Sequence, residues 1–409
     1  MTKSHYRARK VCAFIIGVIF FCSGIFKLLD PVGSGLVVES YYNFFHLSFL
    51  DFSAKAIAVA LSLTETLVGA CLITRIWRKT VAYITAILIG FFTFISLLLF
   101  IFNPNMDCGC FGEVIRLTHW QTLLKNLIIC ALAVGAFIPF KDFGHPKRSR
   151  YVSFGLVAGA VLLFALYSLM SIPLLDFTSY AVDSEIVAGQ VKSKYDFDDY
   201  SSNFIYEKNG KYGAFTLDHL PDSTWKYIKT ETIKKDNPFE KASVNNLSFS
   251  DASGNYQDDL ASIGKVMIVS SYSPGKLTSG QWIKIFNFLS NSKAAGFKPL
   301  MLIASTPEGL ESSLDNIQLS QSEKTMLLTS SYFADYKTLI SLNRSNGGAS
   351  YYYEGELISK WARMSLPDKN ELQGISNNDQ NSLMLKSSTR GRVIFESFLF
   401  YAFMVMIFV

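Results

Sequence analysis

Two cysteines one glycine apart, Cys108–Gly109–Cys110 in the run "NPNMDCGCFG", are the residues of this chain best suited to chemistry. Three readings are open. The pair could cycle between dithiol and disulfide, contribute to a metal site, or sit as two inert thiols in a tight turn. Cysteines two apart lie near the edge of good disulfide geometry, and Gly109 permits the unusual backbone dihedrals a bridge would need. A strained, exposed disulfide is oxidising and labile, which suits exchange rather than stapling. An apolar run follows closely, so a helix N-terminus and Arg116 would favour thiolate. A metal site would need two further ligands, and the only nearby histidines are His46 and His119; no metal is expected. All six cysteines (Cys12, Cys22, Cys71, Cys108, Cys110, Cys130) precede residue 131, so the second half of the chain has no thiol chemistry of its own.

The elements around the loop are apolar. The chain has 409 residues, 50% of them hydrophobic and 34 of them Phe. Apolar runs dominate 11–175, whereas 176–391 is mixed and polar, so a membrane domain followed by a soluble one is expected. Five segments, 11–29, 54–74, 80–102, 121–140 and 151–175, approach the ~20 residues that cross a bilayer core. A shorter sixth, 393–409, carries Glu396. The first is read as an uncleaved signal-anchor, since no small-residue cleavage site follows it.

Basic residues set the sidedness. Lys3, Arg7, Arg9 and Lys10 precede the first span; Arg75, Arg78 and Lys79 join the second to the third; Lys141, Lys147, Arg148 and Arg150 join the fourth to the fifth. These connections belong in the cytoplasm. The loops 31–53 and 103–120 and everything from 176 to the last span then face outward, to the periplasm of an inner-membrane protein. Lys386, Arg390 and Arg392 run against this pattern but come late in the chain. An extracytoplasmic cysteine pair is in the compartment where disulfides form and persist. The net charge of +5 lies between spans, as topology signals do, and indicates no nucleic-acid surface.

Charges within the spans are the next candidates. Glu65 lies mid-span in "LTETLVG" and must pair, protonate or face a polar cavity. Lys27, near the outer end of the first span, either pairs or snorkels. Glu39 lies in a short amphipathic stretch on the outer surface. Cys22 and Cys130 could relay electrons inward, or serve simply as small apolar side chains.

"SGIFKLLDP" at 23–31, "ETLVG" at 65–69 and "DCGCFG" followed by W-x-x-L-L-K-N resemble the DoxX/MauE group of redox-associated membrane proteins, whose MauE branch is named for methylamine utilisation. The resemblance covers about 10–140. It implies a four-helix membrane domain, within 1–150, linked to thiol oxidation or electron transfer. By motif match it singles out Lys27, Asp30, Glu65, Cys108 and Cys110. It does not carry over the methylamine pathway.

The remainder reads as a fifth span (151–175), a β-rich accessory segment (176–245), an α/β domain (246–375), a polar linker (376–391) and a final span (392–409). In the α/β domain, "KVMIVSSY" and "FKPLMLIAST" read as buried strands around the helix "LTSGQWIKIFNFLSNSKAAG". A helix near 307–317, a strand near 324–329, a helix near 331–342 and the hairpin "ASYYYEGELISKW" follow. This order resembles thioredoxin-like proteins. Where that family places C-x-x-C the chain has "SYSPGKL", and where it places a cis-proline the chain has "NGG", so the domain is expected to dock rather than exchange disulfides.

The reading is therefore a helical membrane bundle followed by an extracytoplasmic thioredoxin-like domain. Its expected work is thiol–disulfide exchange or electron transfer for an extracytoplasmic client. A quinone or a second membrane redox protein would accept the electrons. The alternative is a non-catalytic assembly subunit. A solute transporter fits least, because no internal repeat is evident.

Overall fold

The computed structural model describes residues 3–115, 117–138, 146–182, 200–208, 211–215, 220–222, 224–234, 247–315, 317 and 319–408. Arg116 lies outside them.

The first part is helical: α1 (Lys3–Leu29), α2 (Pro31–Phe44), α3 (Ala54–Thr74), α4 (Arg78–Phe102), a short strand β1 (Cys110–Glu113), α5 (His119–Phe137) and α6 (Arg148–Met170). Three strands follow, β2 (Tyr200–Lys208), β3 (Lys211–Phe215) and β4 (Lys226–Lys234), in an antiparallel sheet of order β3-β2-β4. The third part runs β5 (Phe249–Ser250), β6 (Lys265–Ser271), α7 (Ser279–Ala294), β7 (Lys298–Ile303), α8 (Pro307–Asp315), α9 (Gln321–Thr329), β8 (Ser331–Ala334), α10 (Tyr336–Leu342), β9 (Gly348–Tyr353), β10 (Glu356–Trp361), α11 (Lys369–Asn377) and α12 (Gln380–Phe408).

Among the described residues six helices are long and apolar enough to cross a membrane, with spans Arg7–Leu29, Ser48–Thr74, Arg78–Phe102, His119–Phe137, Arg148–Met170 and Gln380–Phe408. Helices α1 and α3 pack closest. A Cβ on Gly69 would lie 2.4 Å from the Phe21 nitrogen, and one on Gly24 would lie 2.2 Å from Thr66 Oγ1. Small residues permit this backbone approach, and it carries the polar side chains one turn further along into contact. Helix α12 packs against α6, with the Ser153 hydroxyl donating to the Val405 carbonyl at 2.6 Å. The stretch 376–391, expected as a linker, is instead mostly helix: α12 runs unbroken from Gln380 through Gly391.

The mixed sheet has the order β10-β9-β6-β7-β8-β5. Strands β6, β7 and β8 are parallel, and β5, β9 and β10 run against their neighbours. Alternation along β6 loads both faces. Met267 and Val269 pack with Trp282, Ile285 and Leu289 of α7, while Val266 and Ile268 pack with Leu339 and Leu342 of α10. Helices therefore cover both faces of the sheet, each closing one core. The expected strand near 324–329 is helix α9, and the first part of the expected helix near 331–342 is strand β8. The cause is local: Ser320 accepts from the Glu323 amide at 3.3 Å, and the Glu323 carboxylate accepts from the Ser320 amide at 2.7 Å, a capping box that starts a helix.

Candidate functional site

The Cys-Gly-Cys loop is held by hydroxyls from two helices. Tyr41 of α2 donates to the Cys108 carbonyl at 2.9 Å. Ser23 of α1 lies 2.7 Å from the Cys110 carbonyl and 2.8 Å from Glu65 Oε2, so its single proton serves one acceptor at a time. Gly109 has φ +63°, and a Cβ there would lie 2.4 Å from Val37 Cγ1. Only glycine fits both the dihedral and the space. The backbone is thus fixed by its carbonyls and by α2, leaving both sulfurs free for other contacts. All six cysteines are free thiols.

Cys108 Sγ lies 3.1 Å from His119 Nδ1, and His119 Nε2 lies 2.9 Å from the Pro104 carbonyl. A carbonyl can only accept, so Nε2 carries a proton, and in the neutral ring Nδ1 presents its lone pair to the thiol. The thiol therefore donates to the ring, and the ring is placed to take its proton. The local sequence accounts for this position. The Thr118 amide donates to Gln121 Oε1 at 3.0 Å in a capping box that starts α5, setting His119 in its first turn.

Burial decides the ionisation of Cys108. The side chain is almost fully buried, and this pushes its thiol above the ordinary value. Neighbouring Cys110 and Asp107 add to the rise, while Thr122 and Lys125 oppose it. The structure thus opposes the thiolate expected from a helix N-terminus, and the group placed to take the Cys108 proton is His119. Cys110 is only half-buried.

The charges singled out from sequence fall into two groups. Lys27 Nζ lies 2.6 Å from Glu65 Oε1 inside the bundle, so Lys27 pairs rather than snorkels. Asp30 has a different task. It caps α2, accepting from the Gly33 amide at 2.9 Å, and pairs with Arg344 Nε at 2.8 Å. Arg344 also binds Glu113 through Nη2 and donates to the Ile340 carbonyl at 3.2 Å. Glu113 ends the strand that begins at Cys110, so Arg344 ties the mixed-sheet domain directly to the loop. Cys130 Sγ lies 3.4 Å from Thr93 Oγ1, and neither Cys22 nor Cys130 is among the described residues lining the cavity beside the loop. Among the described residues no group of three or more His, Cys, Asp or Glu side chains could hold a metal ion.

Sequence reasoning weighed His119 only as a metal ligand and overlooked Ser23, Tyr41 and Arg344. The capping pattern in "THWQ" was the available signal for His119. Ser23 opens the stretch "SGIFKLLDP", but nothing in the sequence marks the partners of these three, which reach the site across 42 or more positions.

Six spanning helices with a buried cysteine–histidine contact at one end define a multi-pass membrane protein. The model of the methylamine utilisation protein MauE family matches residues 7–139, which hold the loop, His119, Lys27 and Glu65. A domain of unknown function matches residues 200–236, the three-stranded sheet. The chain is 24% identical over 176 residues to "Protein TlpB" of Flavobacterium psychrophilum, covering 42% of this chain and 48% of that protein. The chain thus spans about half the length of the curated relative it matches. No solved structure matches it.

Proposed function

We propose that this chain is a membrane thiol–disulfide exchange protein that oxidises an extracytoplasmic client through Cys108 and Cys110. The observation that carries the reading is the cysteine–histidine contact: a buried thiol 3.1 Å from an imidazole nitrogen whose ring is locked by a carbonyl. Inert buried thiols have no use for an oriented base. In the oxidised form, a client thiolate attacks Cys110, the less buried of the two residues. The Cys108–Cys110 bond breaks, and Cys108 leaves as a thiolate, protonated from a His119 imidazolium. A second client thiol then displaces Cys110, so the client leaves as a disulfide and the pair is left reduced.

The mixed-sheet domain serves as a docking element. The order β7-β6-β9-β10, with helix α7 joining the parallel pair, supports a thioredoxin-like reading of it. Its lack of cysteine leaves the chemistry to the loop. The basic connections lie at the opposite end of the bundle, which supports placing loop and sheet on the extracytoplasmic side.

The test is trapping. With Cys108→Ser, Cys110 should accumulate as a mixed disulfide with the client, visible on a non-reducing gel, while Cys110→Ser should trap far less. Replacing both should abolish oxidation of the client at unchanged protein level. A silent double substitution, with both native thiols permanently reduced and unreactive, would leave an assembly subunit instead.

A further inference from the structure

Re-oxidation of the pair needs an acceptor, and the bundle contains a place for one. A cavity of about 360 Å³ lies beside the loop, within the ~300–1,000 Å³ typical of small-molecule sites. Its wall is mostly apolar, with Phe20, Leu61, Phe92 and Ile95 from three helices. Polar groups enter from the loop side: Cys108, Cys110, Thr122 and the Lys27–Glu65 pair. Thr122 Oγ1 is buried beside the Cys108 sulfur, whose thiolate it favours, and meets no other acceptor among the described residues, which leaves it placed to donate to a group in the cavity. Lys27 spends one of its donors on Glu65 and keeps others.

The cavity also borders the bilayer. Ile57 of α3 and Phe91 of α4 line it and are 48% and 51% exposed on the apolar outside of the bundle. Helix α3 packs chiefly on α1 and α2, and α4 chiefly on α5, so the seam between α3 and α4 is thin. A ligand entering there comes from hydrocarbon.

We infer that this cavity binds a membrane-soluble quinone that accepts the electrons of Cys108 and Cys110; the inference rests on the exchange reading above. Both S–H bonds break and one S–S bond forms. The two electrons and two protons released pass to the quinone, whose two carbonyl oxygens become the hydroxyls of a hydroquinone. The balance requires a two-electron, two-proton acceptor, and the seam requires one soluble in lipid. Thr122 and Lys27 supply donors for a carbonyl oxygen, which a lipid acyl chain would leave unused.

The experiment uses the full chain in phosphatidylcholine nanodiscs, with thiols reduced and reductant removed. Decylubiquinone is the probe and decanol the acyl-chain control. Decylubiquinone should raise the thermal unfolding midpoint, decanol should not, and one hydroquinone should appear per disulfide formed. Leu61→Trp, or Ile95→Trp if the first fails to fold, fills the cavity. Such a variant should melt like the wild type without probe, lose the shift, and oxidise at least tenfold more slowly. The inference is overturned by the absence of a shift in the wild type, by an equal shift with decanol, or by a folded filled-cavity variant that responds like the wild type. A pair inert towards glutathione disulfide would sink the exchange reading separately. Under that outcome a decylubiquinone shift still reports on the cavity, and its absence removes both readings.

Discussion

Two corners of this chain meet at one end of the helical bundle and are built in opposite ways. In the Cys-Gly-Cys loop the carbonyls are held by Tyr41 and Ser23, and the sulfurs are left facing His119 and the cavity. In the corner after β6 the principal polar groups are used internally. The Ser273 amide and the Ser271 hydroxyl both donate to Asn346 Oδ1 at 3.1 Å, and Asn346 Nδ2 donates back to the Ser273 carbonyl at 2.8 Å. Tyr272 closes the corner by donating to the Arg344 carbonyl at 3.0 Å. The proposed reactivity rests on what remains unpaired. The first corner keeps a thiol and a base in reserve. The second has spent its groups on rigidity, and its Arg344 side chain reaches across to brace the first.

The sharpest way to break this contrast is to remove the reserve base. His119→Ala should slow exchange by ~10²–10⁴-fold, the usual contribution of a positioned general acid–base. His119→Gln supplies a hydrogen-bonding side chain but cannot carry the proton, so it should be nearly as slow. Stopped-flow exchange with a disulfide peptide measures both. Full activity in the Gln variant would reduce His119 to a spacer.

The brace comes next. Arg344→Met strands Asp30 and Glu113 in a largely buried setting, and breaking such a network costs ~3–5 kcal/mol. The melting midpoint should fall clearly, and proteases should cut between bundle and sheet. An unchanged midpoint would mean that the two corners merely touch.

The contrast is only half legible in the sequence. The spans are readable because a run of about twenty apolar residues matches the thickness of a bilayer core, and the loop is readable because Cys-Gly-Cys is chemically conspicuous. The partners are not. Lys27 and Glu65 are 38 positions apart, and Arg344 lies 314 positions from Asp30; only the approach of α1 to α3 and the docking of the sheet bring them together. Ser320-x-x-Glu323 is a readable capping box, but the apolar "MLL" that follows obscures it and makes α9 resemble a strand. Gly391 and the charges around it make the start of α12 look like linker, although they continue a helix whose later turns pack on α6.

A second, smaller contact between bundle and sheet is pH-dependent. Lys360 Nζ lies 2.6 Å from Asp176 Oδ2. Burial alone would raise the Asp176 carboxyl, but the Lys360 ammonium and the Thr178 hydrogen bonds outweigh it and hold it below its ordinary value. With a folded value below the unfolded ~3.9, the unfolded chain binds the proton first. The stability from Asp176 is therefore present above pH ~4 and is lost as pH falls through the folded value. Thermal melts between pH 6 and 3 should show a steeper fall for the wild type than for Asp176→Asn, which has already lost it. Parallel curves would show that Lys360 does not hold Asp176 ionised.

The smallest change tests how the reactive corner is set. Gly109→Ala meets two separate obstacles. Its φ of +63° costs an ordinary L-residue ~1–2 kcal/mol, and its Cβ would press on Val37 Cγ1 at 2.4 Å. Trimming Val37 relieves the second and leaves the first. Gly109→Ala should therefore displace the loop and weaken client trapping by Cys110, and adding Val37→Ala should recover part of the loss but not all of it. Non-reducing gels and melting curves of the two variants read this directly. Complete recovery would make packing the whole reason for glycine. No recovery would make it the backbone dihedral, with the loop held by the hydroxyls of Tyr41 and Ser23 whatever stands behind it.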